Sequence, residues 1–227
     1  MRKALDVFVT TGRYLIEHRH TPYIEPQKRS NWAHEILDGL NLKVESVGVI
    51  ASHKPTIYVA NHIGYIDIPV LMSLIHDCVF VSKKEVAIWP ILGQAAKKIG
   101  TVFVKRNSKD SRHKAREEIM QQLSHHQKKL IIFPSGTTSI TRESHWNKGI
   151  FEIAEQLKIP LQPIRIQYSH LRAAAYIDQD RLLTHLIKLS RLGRMSAHVE
   201  FHTPMKIHDV IRDLEYCRSW CSDISSI

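Results

Sequence analysis

The segment Asn61–Asp67 contains the residue types with the clearest chemical potential in the chain. It follows the apolar run Thr56–Ala60 and precedes a stretch with helical spacing. If His62 lies in a turn, which Gly64 permits, and Asp67 lies in the first turn of the helix, the two side chains can meet. The carboxylate would then fix the tautomer of the imidazole and raise the basicity of its other nitrogen, which produces a general base for a hydroxyl. A histidine in an asparagine-rich turn beside a helix-capping aspartate is the alternative interpretation.

Arg106 is a second candidate, because it follows the apolar run Thr101–Val104. A guanidinium that a buried strand delivers to a site can bind phosphate or carboxylate bidentately. The alternative is a solvated residue of the charged region 105–129, which holds eight Lys or Arg residues against three acids.

Ser135 is a serine in a turn-forming stretch, but its neighbours argue against a nucleophile. The nucleophile elbow needs glycine two residues before and two residues after the serine, and those positions are Phe133 and Thr137. We therefore expect Ser135 to form a turn or to contact a substrate.

Apolar runs of strand length alternate with helical stretches, which predicts a single α/β domain with a mixed, largely parallel sheet flanked by helices. The predicted strands are Val47–Ala51, Thr56–Ala60, Cys78–Ser82, Thr101–Val104, Leu130–Phe133, Leu161–Gln167 and Ala197–Phe201. The clearest helices lie near Ile68–Ile75, Ser108–His126, Gly149–Leu157, Asp180–Leu192 and Ile207–Trp220.

The N-terminal residues 1–40 are predicted to form amphipathic helices that contact a membrane, with the α/β domain following over residues 41–227. The first helix covers residues 1–19 and has no obvious core partner, and the second begins at Asn31 and runs through Leu37. Residues 181–194 hold four Lys or Arg residues and no acid on an amphipathic pattern. That helix can lie in a bilayer interface or pack on the sheet, and the sequence favours neither.

The composition is that of a globular protein with an anionic partner. Apolar residues make up 43% of 227, which excludes a mainly disordered chain, and the net charge is +10. No run approaches the roughly 18 uncharged apolar residues of a membrane span, and the N-terminus does not have the pattern of a signal peptide. Three cysteines are too few for a disulfide framework, so a cytoplasmic setting is expected.

The chain resembles the glycerolipid acyltransferase family, whose best-known members acylate lysophosphatidic acid. The resemblance covers four blocks, in the family's order, across roughly residues 55–165. The blocks are Asn61-His62 with Asp67, then Gly100–Arg106, then Phe133–Ser139, and finally Ile159–Ile164. The resemblance implies that the first three blocks bind substrate and perform the chemistry, whereas the proline-containing fourth block is expected to serve packing.

The resemblance implies that His62 deprotonates the acceptor hydroxyl, that Asp67 orients it, and that no acyl-enzyme forms. Arg106 would contact the acceptor head group, and Asn61 and Thr137 would also bind substrate. The tetrahedral oxyanion needs preorganised donors, for which the backbone N–H groups around Gly136 are candidates.

The third block departs from the family pattern at two positions that hold a phosphorylated acceptor. Ser135 stands where the family usually has Glu, and Thr138 where it often has Arg. The acceptor would then be a lyso-aminolipid, such as lyso-ornithine lipid, or a lysophospholipid with a larger head group. Alternatively, Arg142 replaces the missing cation. A degenerate enzyme is the third interpretation, which the intact His62 and Asp67 disfavour.

The function expected from the resemblance is therefore lysolipid O-acylation at the cytoplasmic face of a membrane, by a peripheral protein. The acyl donor would be the thioester of acyl carrier protein or coenzyme A, with no metal or other cofactor. An anionic membrane surface is an expected partner, and nucleic acid is not. The rival hypothesis is a catalytically inactive basic protein that binds lipid or nucleic acid.

Overall fold

The computed structural model describes residues 2–89, 91–105, 109–141 and 145–224. The helices are α1 (Arg2–Glu17), α2 (Pro26–Gly39), α3 (Asp67–Leu74), α4 (Leu92–Lys98), α5 (Lys109–Ser124), α6 (Gly149–Leu157), α7 (Leu171–Ala174), α8 (Leu182–Arg191) and α9 (Val210–Cys221). The strands are β1 (Leu42–Val47), β2 (Thr56–Ala60), β3 (Cys78–Lys83), β4 (Val102–Val104), β5 (Lys129–Ile132), β6 (Leu161–Tyr168) and β7 (Met195–Phe201). A 3-10 turn covers Lys84–Ile88.

The strands form one sheet in the order β1-β7-β6-β2-β5-β3-β4. Neighbouring strands are parallel, except that β6 and β7 are antiparallel. The predicted α/β domain with a mixed, largely parallel sheet is therefore confirmed.

Strand β2 lies in the middle of the sheet and is buried along its whole length. Its side chains alternate between the two faces, as the pleat requires. Tyr58 and Ala60 pack in one core layer with α2, α3 and α8, whereas Ile57 and Val59 pack in the other layer with α5, α6 and α9. A continuous apolar run is typical of a strand covered on both faces.

The first strand lies earlier than the sequence predicted, at Leu42–Val47 instead of Val47–Ala51. It pairs in parallel with β7, from Leu42 opposite Met195 onwards. The strand ends at Gly48, which has a φ of +86° and lies so close to the Phe201 carbonyl that a Cβ would collide with it. The backbone conformation at this glycine therefore ends the pairing of β1 with β7 after Val47, although the apolar run of the sequence continues to Ala51.

The N-terminal helices pack onto the domain. Helix α2 begins at Pro26, earlier than the expected Asn31, because proline is well suited to the first turn of a helix. Its residues Ile36 and Leu37 are buried in the core. Helix α1 lies against α2 and α8, so it has the packing partner that the sequence did not reveal. None of the helices in the described ranges is long and apolar enough to cross a membrane.

Candidate active site

The loop between β2 and α3 brings His62 and Asp67 together. Asp67 opens α3, and its backbone N–H bonds to the Gly64 carbonyl at 3.1 Å, which closes the turn. A side chain at position 64 would collide with the backbone oxygen of Ala174 in α7. Glycine is therefore required here by the close approach of another segment, in addition to the turn.

The Asp67 carboxylate is fully buried and accepts hydrogen bonds from four donors. Its Oδ2 lies 2.7 Å from Nδ1 of His62 and accepts from the backbone N–H groups of Ile63 at 2.7 Å and Gly64 at 3.1 Å. Its Oδ1 accepts from the Tyr168 hydroxyl at 2.7 Å. A buried carboxylate is tolerated only with such partners. Because Nδ1 of His62 donates to this carboxylate, the neutral ring has its lone pair on Nε2, the position of a base.

The His62 ring is also held from its face. It stacks on Phe133 with ring centroids 4.0 Å apart and an interplanar angle of 12°. The backbone N–H of Ser139 donates to the His62 carbonyl at 2.8 Å. The side chain remains 19% exposed, so the ring is rigidly placed but reachable from outside.

Asn61 connects the site loop to β6. Its side-chain amide donates to the Ile166 carbonyl at 2.9 Å and its side-chain oxygen accepts from the Ile166 N–H at 2.8 Å. The side chain thus continues the β2–β6 ladder beyond the last backbone pair, Ala60 with Ile164. Both polar groups that a substrate contact would use are engaged with the strand, although Asn61 still borders the recess beside His62.

The loop of the third block turns back on itself after β5. The Ser135 hydroxyl donates to the Thr137 carbonyl at 2.8 Å, and the Thr138 hydroxyl donates to the Tyr176 carbonyl. The Gly136 N–H donates to the Phe133 carbonyl at 2.8 Å. In this conformation the Gly136 N–H is therefore not directed at a substrate, contrary to its expected role as an oxyanion donor, while Thr137 is exposed.

A small recess of about 10 Å³, with room for about one water-sized group, opens beside the His62 ring. Asn61, Ser135, Ser139 and Thr141 border it together with Ser222 and Ile224, which follow α9. The sequence did not associate this C-terminal segment with the site.

Arg165 in β6 holds the C-terminal segment in place. Its guanidinium donates to the carbonyls of Trp220 at 3.3 Å and Asp223 at 3.2 Å and stacks over the Trp220 ring. The two arginines predicted to bind the head group, Arg106 and Arg142, lie outside the described residues.

A larger apolar cavity of about 120 Å³ borders the His62 loop. Tyr65 and Ile66 of that loop line it, so the cavity and the site share one segment of chain. The rest of the lining comes from several helices and includes Val7 and Tyr14 of α1, Trp32 and Ile36 of α2, Ala95 and Ala96 of α4, and Leu182 and Leu186 of α8.

Helix α8 contacts the His62 loop through a buried polar pair. His185 donates from Nε2 to the Ala175 carbonyl at 2.8 Å, so its Nδ1 accepts from the Tyr65 hydroxyl at 2.9 Å. Burial lowers the pKa of His185, which keeps it in this neutral form. The basic amphipathic helix therefore packs one face on the domain, while Leu183 on its other face is exposed.

Known proteins resemble the chain in sequence and in fold. The profile of the family described as Acyltransferase matches residues 41–167. The chain is 35% identical to a lyso-ornithine lipid O-acyltransferase of Pseudomonas aeruginosa over 77% of this chain and 68% of that protein. A protein of the same name from Rhizobium meliloti is 30% identical over 71% of this chain and 61% of its own length. A 1-acyl-sn-glycerol-3-phosphate acyltransferase of Saccharomyces cerevisiae is 31% identical over 57% of this chain and 44% of its own length.

The fold has a solved counterpart. The crystal structure of the 1-acyl-sn-glycerophosphate acyltransferase PlsC from Thermotoga maritima covers 98% of this chain and 95% of its own with a TM-score of 0.61, at 17% identity. That likeness concerns the fold alone. The family match extends over more than half of the 227 residues. On this evidence the chain belongs to the acyltransferase family of lysolipid O-acyltransferases.

Proposed function

We propose that the chain transfers a fatty acyl group from a thioester to the hydroxyl of a lysolipid, with His62 as the general base. The observation that carries this proposal is the 2.7 Å contact between Nδ1 of His62 and the buried carboxylate of Asp67. It fixes the tautomer in which Nε2 can take a proton, next to a recess that a hydroxyl can enter.

The reaction follows from this tautomer. Nε2 of His62 accepts the proton of the acceptor hydroxyl as its oxygen attacks the thioester carbonyl carbon. The tetrahedral intermediate then collapses, the C–S bond breaks, and the thiolate takes the proton back from the imidazolium. Because thiols ionise at about pH 8.5, the leaving group needs no strong acid. Asp67 stabilises the imidazolium that forms in between.

The apolar cavity is suited to a fatty acyl chain. Its lining is almost entirely apolar, as the hydrocarbon of such a chain requires. Since Tyr65 and Ile66 belong to both the cavity wall and the His62 loop, a chain held there places its carboxyl end near His62. The donor would be acyl carrier protein or coenzyme A.

A lyso-aminolipid of the lyso-ornithine type is the acceptor that we favour. The P. aeruginosa and R. meliloti relatives carry that name and align over a larger part of this chain than the S. cerevisiae relative. Ser135 borders the recess. It stands at the position where the family pattern usually has Glu. A hydroxyl in its place fits an acceptor that does not end in a phosphate monoester.

The surface formed by α1 and α8 is suited to an anionic membrane, where the protein would bind peripherally on the cytoplasmic side. Leu5 and Val9 of α1 and Leu183 of α8 are exposed by 61%, 57% and 57%. Arg181, Lys188 and Arg191 are exposed on or beside the same α8 helix. The buried faces of these two helices line the apolar cavity, so a lipid could pass between bilayer and cavity without crossing water.

Replacing His62 with alanine is expected to lower acyl transfer about 100- to 10,000-fold, because the base is lost. The measurement is product formation by purified protein with lysolipid acceptors and both thioester donors. His126→Ala, at an exposed histidine, is the control and should retain activity. Full transfer by a folded His62→Ala protein would disprove the mechanism, and no transfer by the wild type with any pair would favour a non-catalytic lipid-binding member.

The wild type is expected to acylate lyso-ornithine lipid in preference to lysophosphatidic acid. The double variant Ser135→Glu, Thr138→Arg should raise lysophosphatidate acylation by about tenfold or more, since it supplies a phosphate-binding cation. The control Ser135→Ala, Thr138→Val removes the same hydroxyls without adding charge. A wild type that prefers lysophosphatidic acid, with no gain in the double variant, would refute the assignment of the acceptor.

Ala96→Phe is expected to shift the donor preference from long to short acyl chains, because the larger side chain fills part of the cavity. The measurement is competition between thioesters of different chain length. Gln94→Phe adds the same ring to the exposed side of α4 and should leave the preference unchanged. Equal preferences in both variants would show that the acyl chain binds elsewhere.

The double variant Leu5→Ser, Val9→Ser is expected to weaken binding to anionic phospholipid vesicles by about tenfold or more, given the free energy of burying such side chains. Co-sedimentation with anionic and with zwitterionic vesicles measures the affinity. Val49→Ser, at an exposed valine after β1, is the control. The proposed surface is wrong if both proteins bind as tightly as the wild type.

A further inference from the structure

Tyr168 is the last residue of β6 and contacts the carboxylate on which His62 depends. Its side chain is 4% exposed, and its hydroxyl donates to Oδ1 of Asp67 at 2.7 Å. The other carboxylate oxygen, Oδ2, accepts from His62 and from the two loop N–H groups of Ile63 and Gly64. Tyr168 thus binds the side of the carboxylate that faces away from the imidazole.

The hydroxyl is held in position by the sheet. Two residues before Tyr168, the paired hydrogen bonds between Asn61 and Ile166 join β6 to the start of the His62 loop. On its other side, β6 pairs with β7, where Tyr168 lies opposite Ala197. Tyr168 therefore reaches Asp67 from a strand whose register is fixed on both edges.

Tyr168 can act as a donor throughout the working pH range. Burial, followed by the nearby Asp67 charge and the hydrogen bond to it, raises the pKa of Tyr168 well above its usual value. The hydroxyl consequently keeps its proton.

We propose that Tyr168 is a positioning residue for acyl transfer, which fixes the Asp67 carboxylate in the orientation that meets Nδ1 of His62. This inference rests on the proposed role of His62 as the base. Without the hydroxyl, Oδ1 is left buried with one donor fewer, so one of the two carboxylate oxygens loses its restraint. Greater torsional motion of the carboxylate would leave the tautomer and the ring plane of His62 less well defined.

A purely structural role makes a different prediction, and Tyr58 provides the comparison. Tyr58 is fully buried in β2, and its hydroxyl donates to the Ala51 carbonyl at 2.9 Å. Tyr58→Phe and Tyr168→Phe each remove one buried hydroxyl with one hydrogen bond. Both variants should lose stability to urea, with the larger loss in Tyr168→Phe because its hydrogen bond goes to a charged group, but only Tyr168→Phe affects Asp67.

The experiment compares kcat and KM for the wild type, Tyr168→Phe and Tyr58→Phe. In Tyr168→Phe we expect kcat to fall about 10- to 100-fold, as for loss of a hydrogen bond to a charged group, with the KM values of donor and acceptor unchanged. In Tyr58→Phe kcat should remain at the wild-type value. An unchanged kcat in Tyr168→Phe, or equal losses in the two variants, would overturn the inference.

His62→Ala separates this inference from the proposed function. If that variant loses transfer while Tyr168→Phe keeps it, only the role of Tyr168 is wrong, whereas activity in both would reject His62 as the base. A second readout does not need turnover. The Nδ1 proton of His62, observed by NMR, should exchange with water faster in Tyr168→Phe than in the wild type or Tyr58→Phe, and equal exchange in all three proteins would also overturn the inference.

Discussion

A single buried charge, the carboxylate of Asp67, is the constraint on which the site depends. An ionised group without exposure is stable only when its oxygens accept hydrogen bonds. Here four donors from two segments of the chain, the His62 loop and the end of β6, converge on it. Two of these are loop N–H groups, so the carboxylate also determines the path of the backbone around His62. The same interaction that stabilises the turn therefore orients the imidazole of His62, the proposed base.

The parallel part of the sheet supplies the remaining geometry. Strands β2, β5 and β6 are adjacent and point the same way, so their carboxyl ends meet at one edge. His62 follows β2, Phe133 follows β5, and Tyr168 ends β6. Sites in α/β folds lie at such edges because the strand ends place side chains from distant segments side by side. The sheet thus places the His62 ring, the Phe133 ring that stacks on it and the Tyr168 hydroxyl side by side around the Asp67 carboxylate.

The His62 loop also borders two environments with different chemistry. Asn61 and His62 line a small recess bordered by hydroxyl groups, whereas Tyr65 and Ile66 line a larger apolar cavity beneath α1 and α8. A reaction between a polar head group and a fatty acyl chain needs both environments to meet at one base. The two helices that line the apolar cavity also expose apolar residues on the protein surface, namely Leu5, Val9 and Leu183.

The sequence by itself determined what depends on short separations along the chain. The pairing of His62 with Asp67 needs only a turn and the start of a helix, and the alternation of apolar runs with helical stretches is enough for an α/β domain with a largely parallel sheet. Local patterns were less reliable where the backbone conformation decides the end of an element, as at Gly48, which follows the last residue of the first strand.

Only the tertiary structure decided which distant groups complete the site. Tyr168 lies 101 residues from Asp67 along the chain. The segment after α9 borders the recess because Arg165 donates hydrogen bonds to its carbonyls. The cavity is lined by helices from distant parts of the chain. Tyr168 lies four residues beyond the fourth block, and its contact with Asp67 depends on the order and register of the strands, which no local spacing encodes.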